Sequence, residues 1–307
     1  MQASTPASSV ASMAKHTEHH PIIPRERLNF ELDAPDIPKY WFGGDAYKTR
    51  FFDALSVIFP PGERFFMTCV RDFRSKVTDP QLLEDIKNFN RQEAQHSMVH
   101  AQYNQRLREQ GVDVDGLTKQ IEDLLFGYMR AKRSLPHTLA QTSALEHFTA
   151  IGAFMMFGRK GIFDEADYRL RAMYAWHAME EVEHKGVAYD VMQKYAGVGY
   201  FRRCAALIEA TVLFPIMIFK LQQAMLKSDG FSFWQRRKMS VKGLWWLLKP
   251  IGGLVTPLLL PYLRYYVPGY HPWDEGEIHG YDKWQDELKR SGDPLAAGDA
   301  ILAPAAN

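Results

Sequence analysis

Two four-residue motifs set a carboxylate and an imidazole three positions apart: Glu93-Ala94-Gln95-His96 and Glu181-Val182-Glu183-His184. Positions three apart share one face of an α-helix, so each motif sends both groups to the same side. Two more glutamates stand on separate segments: Glu63, just after Pro60-Pro61-Gly62, and Glu146, inside Ala144-Leu145-Glu146-His147-Phe148. Glu146 has Leu139, Phe148, Ile151 and Phe154 around it in sequence. An unpaired carboxylate buried in such company is costly and calls for a cation or a strong partner. Four carboxylates and two imidazoles are hard and borderline donors, suited to a pair of iron or manganese ions and unlike the thiolate sets of structural zinc.

Neighbouring residues leave some assignments open. His177 precedes Glu181 by four positions and His100 follows His96 by four, so both extend the same helical stripes; His100 reads more naturally as a hydrogen-bonded core histidine. Glu63 is expected in the first turn of a helix, where the dipole favours any glutamate. Glu180 lies four residues before His184 and competes with Glu181 for a place in the set. His147 falls about 100° round from Glu146, which makes it a supporting or core residue.

Helical spacing organises the chain that must position these groups. It predicts helices from about Pro61 to Lys76, Pro80 to Gln110, Leu117 to Ala131, Leu135 to Phe157 and Asp164 to Ala196. Pro60-Pro61-Gly62 reads as a helix start, Thr78-Asp79-Pro80 as a cap and Gly111 as a stop. No alternating run of β-branched residues argues for a sheet, so the expected class is all-α. The divisions expected are a loose tail and lead-in over 1–46, a helical bundle carrying the site over 47–199, a basic apolar extension over 200–268 and an acidic tail over 269–307. His16, His19 and His20 in the tail could bind stray metal, though such a cluster is more often incidental.

With 37 Lys and Arg against 36 Asp and Glu in 307 residues, no global field points to nucleic acid. The balance hides an asymmetry: Tyr200 to Tyr266 holds ten basic residues against two acidic, and Val267 to Asn307 three against eight. Within the basic stretch, Cys204 to Leu226 and Gly243 to Val267 are apolar but interrupted by charges and prolines. They suit buried helices packed on the bundle, attachment to an anionic membrane surface, or, least well, a spanning helix. Asp274-Glu275-Gly276-Glu277 reads as a solvated tail segment. Cys69 and Cys204 make no disulfide scaffold, and with no signal peptide at the N-terminus the expected compartment is a reducing cytoplasm. Gly-x-Ser-x-Gly, Gly-x-x-x-x-Gly-Lys-[Ser/Thr] and Gly-x-Gly-x-x-Gly motifs are absent.

Over roughly residues 40 to 280 the chain resembles the ferritin-like superfamily of di-iron proteins, and more closely a bacterial family of predicted metal-dependent hydrolases. The resemblance rests on Pro61-Gly62-Glu63-Arg64-Phe65-Phe66, Glu93-Ala94-Gln95-His96-Ser97, Leu145-Glu146-His147, Trp176 to Lys185 and Tyr270-His271-Pro272-Trp273-Asp274. It implies a ferritin-like four-helix bundle with additional C-terminal apolar helices. It also implies that Glu63, Glu93, His96, Glu146, Glu181 and His184 hold two iron ions, manganese being the alternative. The segment around His177 is similar to di-iron arylamine N-oxygenases, where a histidine one turn before the second motif is an extra iron ligand.

Three functions follow as expectations. The first is a di-iron oxidase or oxygenase that uses O2 and an electron donor on a hydrophobic small molecule, which the histidine-rich donor set favours. The second is a two-metal hydrolase, and the third, remote, is non-catalytic iron binding. A homodimer and a peripheral membrane contact through 200–268 are further expectations about partners.

Overall fold

The computed structural model describes residues 21–157, 161–276, 278 and 280–302. The tail with His16, His19 and His20 lies outside the described residues. The fold is all-α, as expected; among the described residues the only β pairing is an isolated bridge between Phe42 and Ala166.

Helix α1 (Ala46–Arg71) opens on Asp45, whose carboxylate accepts from the Tyr47 and Lys48 amides. It runs straight through Pro60 and Pro61, so the start expected at Pro61 is wrong by more than four turns. Pro60 has no N–H to offer the Ser56 carbonyl four residues back. The Asn104 amide from the neighbouring helix donates to that carbonyl instead, at 2.9 Å. Glu63 is therefore mid-helix, where an N-terminal dipole cannot account for it.

Helix α2 (Pro80–Glu109) is capped by Asp79 and runs nearly as the spacing predicts. Helix α3 (Val114–Glu122) continues into a wider π-helical turn over Asp123–Arg130, and α4 spans Leu135–Phe157. The single helix expected from Asp164 to Ala196 is two: α5 (Tyr168–His184) and α6 (Val187–Lys194). The break is at Gly186, where a Cβ would lie 2.5 Å from the indole nitrogen of Trp273. Helices α1 and α2 pair, α4 and α5 pair, and contacts of α1 with α4 and α2 with α5 close the four-helix frame.

Helix α7 (Tyr200–Ser228) packs on α1 and α4 through Ala206, Leu207, Ala210, Ile218, Leu221 and Met225. Helix α8 (Phe233–Leu248) crosses α1 at Gly243, its one buried residue, against the Tyr47 ring. Short α9 (Leu259–Arg264) follows. At the other end, α10 (Tyr281–Ser291) leads into α11 (Pro294–Ala300), which lies on α5 with Gly298 against Ala172. Residues 21–45 form no helix, yet Phe30, Leu32, Trp41 and Phe42 are buried in the main core. Nor is the acidic segment after Trp273 simply solvated: Glu275 is buried and accepts from Arg264 at 3.1 Å, while its carbonyl accepts from Lys185.

Candidate metal centre

All seven residues singled out from sequence are buried, and they meet between the four frame helices. α1 supplies Glu63, α2 supplies Glu93 and His96, α4 supplies Glu146, and α5 supplies His177, Glu181 and His184. Two trios of ligand atoms form, Glu63 with His96 and His177, and Glu93 with Glu181 and His184, each with its atoms within 4.8 Å of one another. Glu181 joins them. One oxygen lies 3.0 Å from His177 Nε2 and 3.6 Å from His96 Nδ1; the other is 3.4 Å from His184 Nε2. His184 Nε2 is also 3.3 Å from Glu93 and 3.5 Å from Glu146.

Hydrogen bonds behind the cage set which imidazole nitrogen faces it. Gln92 Nε2 donates to Glu183 at 2.7 Å, so Gln92 Oε1 is left to accept from His184 Nδ1 at 2.9 Å. Glu180 faces His96 Nε2 at 3.0 Å, which makes that nitrogen the protonated one and turns the lone pair of Nδ1 inward. Asn104 donates to the Ser56 carbonyl, so its oxygen takes the Ser56 hydroxyl proton. That hydroxyl accepts from His100 Nδ1 at 2.8 Å, and His100 Nε2 then accepts from His177 Nδ1 at 2.8 Å. All three imidazoles thus direct a lone-pair nitrogen, or the proton it carries, into the cage.

The electrostatics are those of a site built for cations. Burial, and then the nearby charges of Glu146 and Glu181, push the Glu93 carboxyl well above its usual range. Burial does the same to Glu63, and it pushes Glu146 up to about 8. Burial disfavours the charged form of His184, but Glu181 and Glu146 overcome it and raise this imidazole. Burial would raise Glu181 too, yet His184 and His177 bring it well below the ordinary carboxylate range. Both oxygens of Glu93 and of Glu146, one each of Glu63 and Glu181, and the inward nitrogens of His96 and His184 have no hydrogen-bond partner. Buried polar atoms seldom stay unsatisfied. Here they cluster at one point, and four carboxylates match the charge of two divalent ions. The donors fit a pair of metal ions.

A family profile described as "Predicted metal-dependent hydrolase" matches residues 24–276. The chain belongs to this family. The match reaches from the lead-in to just beyond Glu275 and so takes in every residue of the cage. Neither a curated protein nor a solved structure matches the chain.

The other sequence candidates fall outside the cage. Glu180 backs His96 and is not a rival to Glu181, and His100 orients His177. His147 lies 3.2 Å from the Tyr270 hydroxyl, away from the carboxylates. Sequence reasoning missed the layer behind. Glu183 accepts from the two terminal guanidinium nitrogens of Arg25, Nη1 at 3.1 Å and Nη2 at 2.7 Å, from the Ile23 amide at 3.1 Å and from the Tyr281 hydroxyl at 2.5 Å. Arg25 also reaches Glu180 at 3.1 Å and stacks over Trp284 at 4.7 Å. Three of these supports, Gln92, Glu180 and Glu183, stand one residue before Glu93, Glu181 and His184. That repetition is the signal that could have found them.

A cavity of about 1000 Å3 reaches the centre at His177 and Glu181. Its walls are almost wholly apolar, with Phe59, Phe148, Met155 and Phe214 among them. A smaller pocket of about 70 Å3 touches Glu63 and Glu181 and shares Phe59 and Phe214 with the large cavity.

Proposed function

We propose that this chain is a two-metal hydrolase acting on a substrate with a long apolar portion. The observation that carries the reading is Glu181, whose two oxygens address two separate ligand trios and so link two ion sites. In this reading Glu63, His96 and His177 would hold one ion and Glu93, Glu146 and His184 the other, with Glu181 within reach of both. Bound there, divalent ions supply Lewis-acid polarisation of an ester or phosphoryl oxygen in this reading, and electrons for O2 in the alternative below. The chain's own residues do the rest. Gln92, Glu180 and His100 fix the imidazoles, Ser97 holds Glu63 by a 2.6 Å hydrogen bond, and the apolar walls orient the substrate and keep bulk water away.

A second reading is favoured by the donor set itself. Three imidazoles and four carboxylates on a helical frame also suit two irons, and an O2-dependent oxidation of the same apolar substrate in a ferritin-like bundle. It would draw on an external electron donor. One experiment separates the two. Metal-free protein is reloaded with Mn(II), Zn(II) or Fe(II) and assayed on aryl esters of graded acyl length under nitrogen, and again in air with a reductant. Hydrolysis is expected under nitrogen with about two metals per chain, and its loss in Glu181→Gln. Turnover only with iron, O2 and reductant would replace hydrolysis by the oxidation reading.

A further inference from the structure

Helices α7, α8 and α9 turn large apolar side chains outward. Along α7, Phe201, Ile208, Val212, Ile216 and Phe219 form one exposed stripe. On α8, Trp234 is 78% exposed, Val241 72% and Trp245 66%, and Ile251 in the loop beyond reaches 91%. Such a continuous apolar surface marks an interaction site. α7 is long and apolar enough to cross a membrane, and only 28% of its most apolar stretch is buried. Its inner stripe, however, packs on α1 and α4 and carries buried Arg203 and Gln222, the latter bonded to the Tyr47 carbonyl. That packing fits a helix lying along a surface.

The same face carries positive charge with nothing opposite it. Arg202, Lys220, Arg237, Lys238 and Lys242 are exposed, and among the described residues none has a carboxylate partner. The two acids of this stretch are engaged by other elements: Glu209 pairs with Arg133 and His137, and Asp229 with Arg50 and Lys39. Basic residues and tryptophans around an apolar surface match the headgroup zone of an anionic bilayer. The cavity opens in this face as well. Phe219, Val241, Leu244, Leu248 and Leu259 are exposed and at the same time line the cavity whose inner end is His177 and Glu181.

We propose that the α7–α9 face docks on an anionic bilayer, so that a lipid acyl chain passes from the membrane into the cavity and brings its polar end to the metal centre. Docking needs no metal; the entry of a lipid chain rests on the proposed function. The test is co-flotation of the metal-loaded full chain with vesicles of phosphatidylcholine, alone or with about one-third phosphatidylglycerol. Binding to the anionic vesicles that weakens with salt is expected. Each charge removed, as in Lys238→Gln or Lys242→Gln, lowers partitioning about fivefold. Trp234→Ser with Trp245→Ser lowers it more than tenfold while leaving the circular dichroism spectrum unchanged. Glu181→Gln floats like the parent, so loss of the metal chemistry is distinguishable from loss of docking. Equal binding to both vesicle types, no effect of the tryptophan pair, or a stable dimer that shields these tryptophans in solution would overturn the proposal.

Discussion

The three histidines of the cage differ in what stands behind them, and the differences predict graded effects. His184 depends on one neutral amide, Gln92, held by Glu183. Gln92→Ala removes the acceptor for Nδ1–H and frees the ring to present either nitrogen. Metal affinity is expected to fall 10- to 100-fold, the usual cost of losing a group that orients a ligand, with helicity retained. Competition with a fluorescent chelator measures it, and unchanged affinity would remove Gln92 from this role. Glu181 is the sharper case because it addresses both trios. After dialysis, Glu181→Gln should fall well below one metal per chain, whereas Glu146→Gln should keep the ion of the Glu63, His96 and His177 trio. Equal losses in the two variants would mean that Glu146 is as central as Glu181.

At the scale of elements, glycine decides where α8 sits. A Cβ on Gly243 would fall 1.9 Å from the Tyr47 ring, which is itself buried. Gly243→Ala must therefore push α8 off α1 or displace that ring, at about 1–3 kcal/mol as for other overpacked contacts. A urea midpoint unchanged by the substitution would show that α8 is not seated there. The existence of the helices was legible because apolar periodicity is a local property, and α2 and α4 keep nearly their expected bounds. Two boundaries were not legible, since each depends on a residue distant in sequence. Pro60-Pro61 looks like a start until Asn104 supplies the Ser56 carbonyl with a donor, and α5 looks continuous until Trp273 meets Gly186. The convergence of Glu93, His96, Glu181 and His184 was readable from their i,i+3 spacing. The Arg25 support was not, because nothing in residues 21–45 indicates that the segment folds back onto α5.

For the whole molecule, the cage is a charge problem that bound cations would relieve, and stability should report it. Without metal, ionising the buried carboxylates works against folding. Glu146, raised from 4.5 to about 8, contributes most when protonated. Its contribution is complete below pH about 4.5 and is lost as pH rises toward 8; forced ionisation costs on the order of 5 kcal/mol. Glu63 and Glu93, also raised, act in the same direction. His184 joins them, since its raised imidazole loses its stabilising charge as pH climbs past its folded value. Glu181 has the opposite sign, but its carboxyl is lowered, so its contribution is already complete above pH 4.5 and is constant through this window. His96, His100 and His147, whose imidazoles burial holds below their usual value, oppose this trend below about pH 6.5, so the chelated protein should melt at progressively lower temperature between about pH 6.5 and 8. With divalent ions bound, the four carboxylates are ionised and neutralised together, and ligand deprotonation favours binding as pH rises. The melting curves with and without metal should diverge by several degrees across this range. Parallel curves would mean that the carboxylates are satisfied by something other than cations.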